Sequence, residues 1–313
     1  MKISMNNNEK SKKQRKDGIS VIIPIFNEKK TIAELIQEID FVMKTSGYYY
    51  EIIAVNDFST DETGKILDSL QTRTKNLKVI HHQYNKGYGA SLKTGINFAK
   101  NNLIAMLDGD GTYLPQDILK LIHYSKDYDL VSGARVGKRV KIPLLRIPAK
   151  FILTILARIL TGIRIPDLNC GLRIIKKDNI KKFYHLLPQR FSFTMTHLLA
   201  CLSNGYEVKF VPINYKKRKG NSSIHPLNDF IKFISIIIRI ITYFNPFKMF
   251  SLISFAMFLL AMFVWFYTIF YIGKIADISV IVLLISSLQI FLFGLLADLI
   301  VKNNIKENRR EEK

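Results

Sequence analysis

Two uncharged runs near the C-terminus constrain this chain more than any other feature. Met249 to Ile272, "MFSLISFAMFLLAMFVWFYTIFYI", holds 24 residues, and Ile278 to Ala297, "ISVIVLLISSLQIFLFGLLA", holds 20. A helix of the first length is about 36 Å long, enough to cross a bilayer core with some tilt. Only "GKIAD" separates the runs, which is room for a tight turn. The pair reads as a transmembrane hairpin over residues 249–272 and 278–297. The alternative is a buried helical pair in a soluble domain, which 24 consecutive uncharged residues disfavour.

The flanks predict the orientation. Lys232, Arg239 and Lys248 precede the hairpin, and Lys302, Lys306, Arg309 and Arg310 follow it, whereas the turn carries Lys274 beside Asp277. An excess of cations at both ends places both termini, and residues 1–246, on the cytoplasmic side of a cell membrane. The formal net charge of +21 then reads first as attraction to anionic lipid. No nucleic-acid recognition motif accompanies it, so nucleic acid is not expected as a partner. Residues 1–17 are polar and lysine-rich without an apolar run, and read as a disordered basic tail rather than a signal peptide. Residues 302–313 read as a second basic tail. Cys170 and Cys201 match no metal or disulfide spacing.

Two further segments predict contact with a membrane surface. In "RIPAKFILTILARIL", Arg146, Lys150, Thr154 and Arg158 recur every four residues against Phe151, Ile152, Ile155, Leu156 and Ile159. In "NDFIKFISIIIRIITYF", Asp229, Lys232, Ser235 and Arg239 share one face. Helices at about 146–160 and at 226–246 would lie in the headgroup plane, or else be amphipathic core helices.

The N-terminal half alternates strand and helix. "GISVIIPIF", "YEIIAVND", "LKVIHH", "LIAML" and "YDLVSGA" are short apolar or β-branched runs, and segments of helical periodicity separate them. This alternation predicts an α/β fold with a mostly parallel sheet, whose ligands bind beyond the carboxyl ends of the strands. The residues there are Asn27 and Glu28, Asn56 and Asp57, Asp108 and Asp110, then Arg135. That rim of carboxylates with one arginine suits a metal and a phosphorylated ligand.

Asp108 and Asp110 stand one glycine apart in "LDGDGTYLP". Such a pair can be a solvated turn. A calcium loop would need glycine at its sixth position and glutamate at its twelfth, where this chain has Tyr113 and Leu119. The third reading is a divalent metal held by one or two carboxylates, with diphosphate oxygens completing its shell. The preceding strand favours that one.

In sequence order, "VIIPIFNE", "AVNDFSTDET", "NKGYGASLKTGINFA", "LDGDGTYLP" and "VSGAR" resemble the family 2 glycosyltransferases, with a Rossmann-like GT-A sheet. "PDLNCGLRIIKK", "FVPINYKKRKGNSSI" and the hairpin make the chain similar to the polyprenyl-phosphate sugar transferases, the group of dolichyl-phosphate mannose synthase. The resemblance implies a GT-A catalytic domain at 18–225, an interfacial helix at 226–246 and a hairpin domain at 247–301. It implies an inverting hexosyltransferase that uses Mg2+ or Mn2+ and a UDP- or GDP-linked sugar. The acceptor would be an undecaprenyl or dolichyl phosphate in the lipid bilayer, and the assembly is compatible with a homo-oligomer. Pro24, Phe26, Glu28 and Gly109 would border the nucleotide, and Asp57 would bond the base. Asp108 and Asp110 would serve ribose and metal, with Thr112 beside them. Arg135, Arg146 and Lys150 would face the acceptor phosphate, and Asp167 and Arg173 would shape the sugar pocket. Lys217, Arg218 and Lys219 would close over the diphosphate. The chain departs from the family pattern at Asn56, a frequent Asp, at Thr112, often Gln, at Lys150, often Ser, and at Ser223, commonly Lys.

The chemistry agrees with this resemblance. A lipid phosphate is already ionised at neutral pH, so it needs cations to hold it in line rather than a general base. Plainer readings stand beside these. Asp57 or Asp61 can cap a helix, Arg173 can be a surface residue, and His197 reads as a partly buried helical histidine rather than a base. Two other functions are compatible with the sequence: transfer of a sugar to a lipid-linked glycan, and a non-catalytic nucleotide-sugar-binding membrane scaffold. A processive synthase would need a QxxRW motif, and the one tryptophan, Trp265, lies inside the first apolar run.

Overall fold

The computed structural model describes residues 18–135, 162–190, 192–216, 246–273 and 278–311, with isolated positions 158, 235, 238, 242 and 243. Arg146, Lys150, Lys217, Arg218, Lys219 and nearly all of the two expected interfacial helices lie outside the described residues. The chain divides into two compact units.

The first unit is built on a seven-stranded sheet ordered β3-β2-β1-β4-β6-β5-β7. The strands are β1 (Gly18–Ile25), β2 (Tyr49–Asn56), β3 (Leu77–His81), β4 (Leu103–Met106), β5 (Leu130–Arg135), β6 (Arg173–Lys176) and β7 (Val208–Ile213). The helices between the first five are α1 (Ile32–Ser46), α2 (Thr63–Arg73), α3 (Tyr88–Phe98) and α4 (Gln116–Ile122). Two more are α5 (Lys177–Lys182) and α6 (Phe193–Ser203), of which this unit includes α6 only as far as His197. β1 and β4 are almost wholly buried, as their unbroken apolar sequences require of strands covered on both faces. α1 buries Ile32, Leu35, Ile36, Ile39 and Met43, one stripe at helical spacing. It stops at Gly47, whose φ of 73° is open to glycine at little cost.

The sheet is mostly parallel, as expected. The exception is β6, which runs antiparallel between β4 and β5. Strand order reverses between β1 and β4, so the chain's topological switch point lies at their carboxyl ends. β6 and β7 were not foreseen. β6 has four residues, and it starts at an arginine that the sheet buries completely.

The second unit contains the hairpin. α7 (Pro246–Tyr267) continues through a π-turn at Thr268–Ile272, and α8 spans Ile278–Glu311. Both helices are long and apolar enough to cross a membrane. They pair antiparallel: the Phe247 and Phe291 rings meet edge to face at 5.7 Å, and Gly294 lets Phe250 approach. At the crossing, Ser254 Oγ donates to the Ser287 carbonyl at 2.8 Å and Ser287 Oγ donates to the Ser254 carbonyl at 2.9 Å. Small residues with reciprocal hydrogen bonds are how helices associate where lipid removes the hydrophobic incentive. Phe255, Phe258, Phe263, Leu288 and Phe293 are exposed on this hairpin, as suits a lipid-facing surface.

Candidate active site

The two motif aspartates sit directly beyond β4 and are held differently. Asp108 Oδ1 accepts a 2.7 Å hydrogen bond from the Tyr88 hydroxyl, at the start of α3. Burial, then the charge of Asp108 and this bond, push the Tyr88 phenol well above its ordinary pKa, so it stays a donor. Gly171 packs against the same carboxylate. A Cβ there would lie 2.3 Å from Asp108 Oδ2 and 2.5 Å from its Cγ. Asp110 Oδ1 accepts from the Thr112 hydroxyl at 2.6 Å and from the Thr112 N–H at 3.1 Å. Thr112 is fully buried. Its hydroxyl donates to Asp110, so it supports that carboxylate from behind. Gly109 fits the turn against β1, where a Cβ would lie 3.0 Å from the Pro24 carbonyl, and Thr31 Oγ1 donates to the Gly109 carbonyl at 3.3 Å. Pro24 thus adjoins the aspartate turn across the switch point, and Thr31, whose hydroxyl also lies within hydrogen-bond distance of Glu28, links that residue to it.

Gly171→Ala is expected to displace Asp108. The outcome to measure is nucleoside-diphosphate affinity and turnover, both lower by about ten- to a hundredfold with little change in melting temperature, the range for residues that orient a ligand group.

Asp57 occupies the next position along the rim. Its Oδ1 meets His82 Nδ1 at 2.7 Å and accepts the Lys86 N–H at 2.8 Å, while Oδ2 accepts the Gly87 N–H at 2.7 Å. His82 is steadied in turn by Thr94 at 3.0 Å. Asp57 is buried and engaged within the protein, anchoring the turn into α3. It does not cap α2. Asp61, one residue before the N-cap Glu62, accepts the N–H of Thr63, the first residue of α2, at 3.0 Å. Asn56 is likewise tied in, between His81 and the Ser59 N–H.

Arg135 and Asp167 come together. Arg135 Nε and Nη2 donate to the two oxygens of Asp167 at 2.6 and 2.9 Å, its backbone N–H adds a third bond, and Nη2 also reaches the Asn169 carbonyl. Burial opposes both charges, yet the pairing prevails: the Asp167 carboxyl is held below its usual range and Arg135 is pushed above its own. The Arg135 guanidinium lies 5.2 Å from the centroid of the Tyr215 ring, which meets Tyr113 edge to face. The Tyr113 hydroxyl accepts the Gly171 N–H at 2.8 Å. Lys216 N–H donates to the Thr112 carbonyl at 2.8 Å, which places Lys216 beside the turn that carries Asp110.

Arg173 lies underneath. It is fully buried, and its guanidinium donates to the carbonyls of Cys170, Leu168 and Thr194. It therefore holds the 168–170 loop from behind and is not the surface arginine of the plainer reading. Burial pushes the Cys170 thiol up to about 11, so it is no nucleophile at neutral pH.

His197, expected to be partly buried, is completely buried. Burial, then the charge of Arg173, lowers its pKa from 6.5 to about 3. The unfolded chain therefore takes up a proton below about pH 6.5 that the folded chain refuses. Stability should fall as pH falls, by up to about 1.4 kcal/mol per pH unit. Melting of the full chain at pH 7 and pH 5 tests this, and His197→Leu should shrink the difference between them.

Residues 20–183, just over half of the chain, match the family described as Glycosyl transferase family 2. The chain is a family 2 glycosyltransferase. The hairpin of this glycosyltransferase, residues 245–302, matches the GtrB C-terminal hairpin, which marks it as membrane-associated. The glycosyltransferase is 30% identical over 169 residues to a dodecaprenyl-phosphate galacturonate synthase of Rhizobium johnstonii, covering 52% of this chain and 49% of that protein. It is 26% identical over 220 residues to a dolichyl-phosphate beta-glucosyltransferase of Trichomonas vaginalis, covering 65% and 67%. A crystal structure of glucosyl-3-phosphoglycerate synthase from Mycobacterium tuberculosis, with Mn2+, UDP and glucosyl-3-phosphoglycerate, superposes with a TM-score of 0.55 at 18% identity, over 72% of this chain and 80% of that one. The glycosyltransferase shares the GT-A fold with it.

Sequence reasoning missed Tyr88, Gly171, Tyr113, Tyr215 and His82. Tyr88 stands inside a quoted family stretch, and the His81-His82 doublet ends a predicted strand. Either was a signal. The tyrosine pair is formed by residues about a hundred positions apart, and no local pattern announces it.

Proposed function

We propose that this glycosyltransferase moves a hexose from a UDP- or GDP-linked sugar to an undecaprenyl or dolichyl phosphate, with inversion, at the cytoplasmic face of a membrane. One observation carries the reading: a single chain holds both a GT-A carboxylate turn at its switch point and a membrane hairpin. The names of its relatives support a polyprenyl-phosphate acceptor. The cationic flanks of the hairpin support the sidedness.

Asp110, with Asp108 beside it, offers the hard oxygen donors that Mg2+ or Mn2+ prefers. Among the described residues no group of three His, Cys, Asp or Glu side chains converges, which fits an ion that takes most of its shell from diphosphate and water. When bound, such an ion neutralises the charge that develops on the leaving diphosphate. Thr112 keeps Asp110 aimed, and Tyr88 keeps Asp108 aimed. Lys216 starts the basic segment whose Lys217, Arg218 and Lys219 supply charge for the diphosphate. Arg146 and Lys150 supply charge for the acceptor phosphate. Arg135, neutralised by Asp167, contributes chiefly by fixing the 167–169 loop.

The test is a membrane assay with labelled UDP-glucose, UDP-N-acetylglucosamine or GDP-mannose, polyprenyl phosphate and Mn2+. The expected product is label in the organic extract that mild acid releases and that chelator prevents. Label found only on a lipid-linked oligosaccharide would transfer the assignment to glycan extension. Binding of donor without turnover would leave a scaffold.

A further inference from the structure

We infer that Phe58 is a nucleobase-stacking residue of this chain, an inference that rests on the nucleotide-sugar reading above. Its backbone is the first sign. Phe58 has a φ of 62°, in the left-handed region where a bulky residue is an outlier and where glycine is at ease. Backbone strain of this kind persists where the surroundings enforce it, and it concentrates at ligand sites.

The surroundings that enforce it are visible on both sides. Before it, Asp57 N–H donates to the Ile25 carbonyl at 2.8 Å, and the Asp57 carboxylate is fastened to His82, Lys86 and Gly87. After it, the Ser59 N–H donates to Asn56 Oδ1 at 3.1 Å, Ser59 Oγ accepts the Asn27 N–H at 3.0 Å, and the Thr60 N–H donates to Asn27 Oδ1 at 2.8 Å. Phe58 is thus clamped between two anchored residues, and yet its ring does not enter the core. It is 49% exposed.

An apolar ring held in an unfavourable backbone conformation and then left in solvent gains little for the fold. A ligand with a flat face would account for both. The strand ends are level here, since Ile25 pairs with Asn56. Phe26, just past β1, is 46% exposed on the adjoining strand end. Among the described residues, neither ring contacts another aromatic side chain. Asp57 is turned inward, so the exposed side chains at these two strand ends include the Phe26 and Phe58 rings beside the partly exposed Glu28 and Asp61. Every nucleobase has a π-face, and stacking on an aromatic side chain is a common way to hold one. The ligand class is therefore a nucleoside diphosphate, engaged through its base.

Full-length chain in detergent should be titrated with UDP, GDP and pyrophosphate in the presence of Mn2+, and its melting temperature recorded. Phe58→Gly is expected to melt at or above the parent temperature, because glycine tolerates this φ. It should bind UDP or GDP about tenfold more weakly and pyrophosphate as the parent does. Phe58→Trp should restore nucleoside-diphosphate affinity. Unchanged nucleoside-diphosphate affinity in Phe58→Gly would overturn the inference, as would an equal loss for pyrophosphate. If the parent binds pyrophosphate but gains nothing from a base, this inference fails while the diphosphate site stands. If the parent binds none of the three, the nucleotide-sugar reading falls and this inference with it.

Discussion

Asp110→Ala is expected to lower sugar transfer about a thousandfold while the chain stays folded. The size follows from what the carboxylate supports. Neutralising a leaving diphosphate through a bound cation is worth several kcal/mol, and about 1.4 kcal/mol corresponds to each factor of ten. Folding should be spared, because the turn is also held by Thr31 on the Gly109 carbonyl and by the β-bridge between Tyr113 and Tyr215. Labelled transfer in membranes, alongside melting temperature, checks both halves. Activity within about tenfold of the parent would refute a metal at Asp110. Thr112→Val provides the graded control. It keeps the buried volume and removes the hydroxyl that donates to Asp110 at 2.6 Å. About a tenfold loss, partly recovered at high Mn2+, is the expected result for a residue that acts through another.

Asp167→Ala should act on the fold instead. Its side chain is 11% exposed and that of Arg135 is 25% exposed. Removing the carboxylate leaves a largely buried guanidinium without its main partner, at a cost of about 2–3 kcal/mol, somewhat below that of a fully buried pair. The melting temperature should drop by roughly 5–10 °C. Arg135→Met in the same chain should recover part of this, since it removes the stranded charge. Acid gives an independent check. The folded Asp167 carboxyl titrates below its unfolded value of about 3.8, so its contribution is whole above that pH and fades as pH falls through the folded value. The Asp167→Ala chain should lack this acid loss. A melting temperature equal to the parent's would show that the pair contributes nothing.

The five strands of the N-terminal half were legible because each carries a short apolar or β-branched run bounded by helical segments, although β3, at the sheet edge, is largely uncovered. The carboxylate rim followed from one rule, that residues just after parallel strands face the ligand. The same rule hid Asp167, Asn169 and Gly171. They precede β6, and because β6 is antiparallel its leading end reaches the rim. Family resemblance named Asp167, but only the fold explains why a residue before a strand belongs there. The burial of Arg173 was not legible because its sequence neighbourhood, "LRIIKK", gives no hint that its charge is sealed within the fold. The hydrogen bonds of Thr112 to Asp110 were not legible, because a hydroxyl near a metal motif can coordinate the ion or orient its ligand, and composition does not separate these.

The paired serines of the hairpin have a consequence for how the chain is made. Each hydroxyl reaches the other helix's carbonyl, so one crossing point supplies both bonds. Shifting either helix by a single residue would turn its serine through about 100° and break the two bonds together. The registry of the anchor is therefore a yes-or-no property.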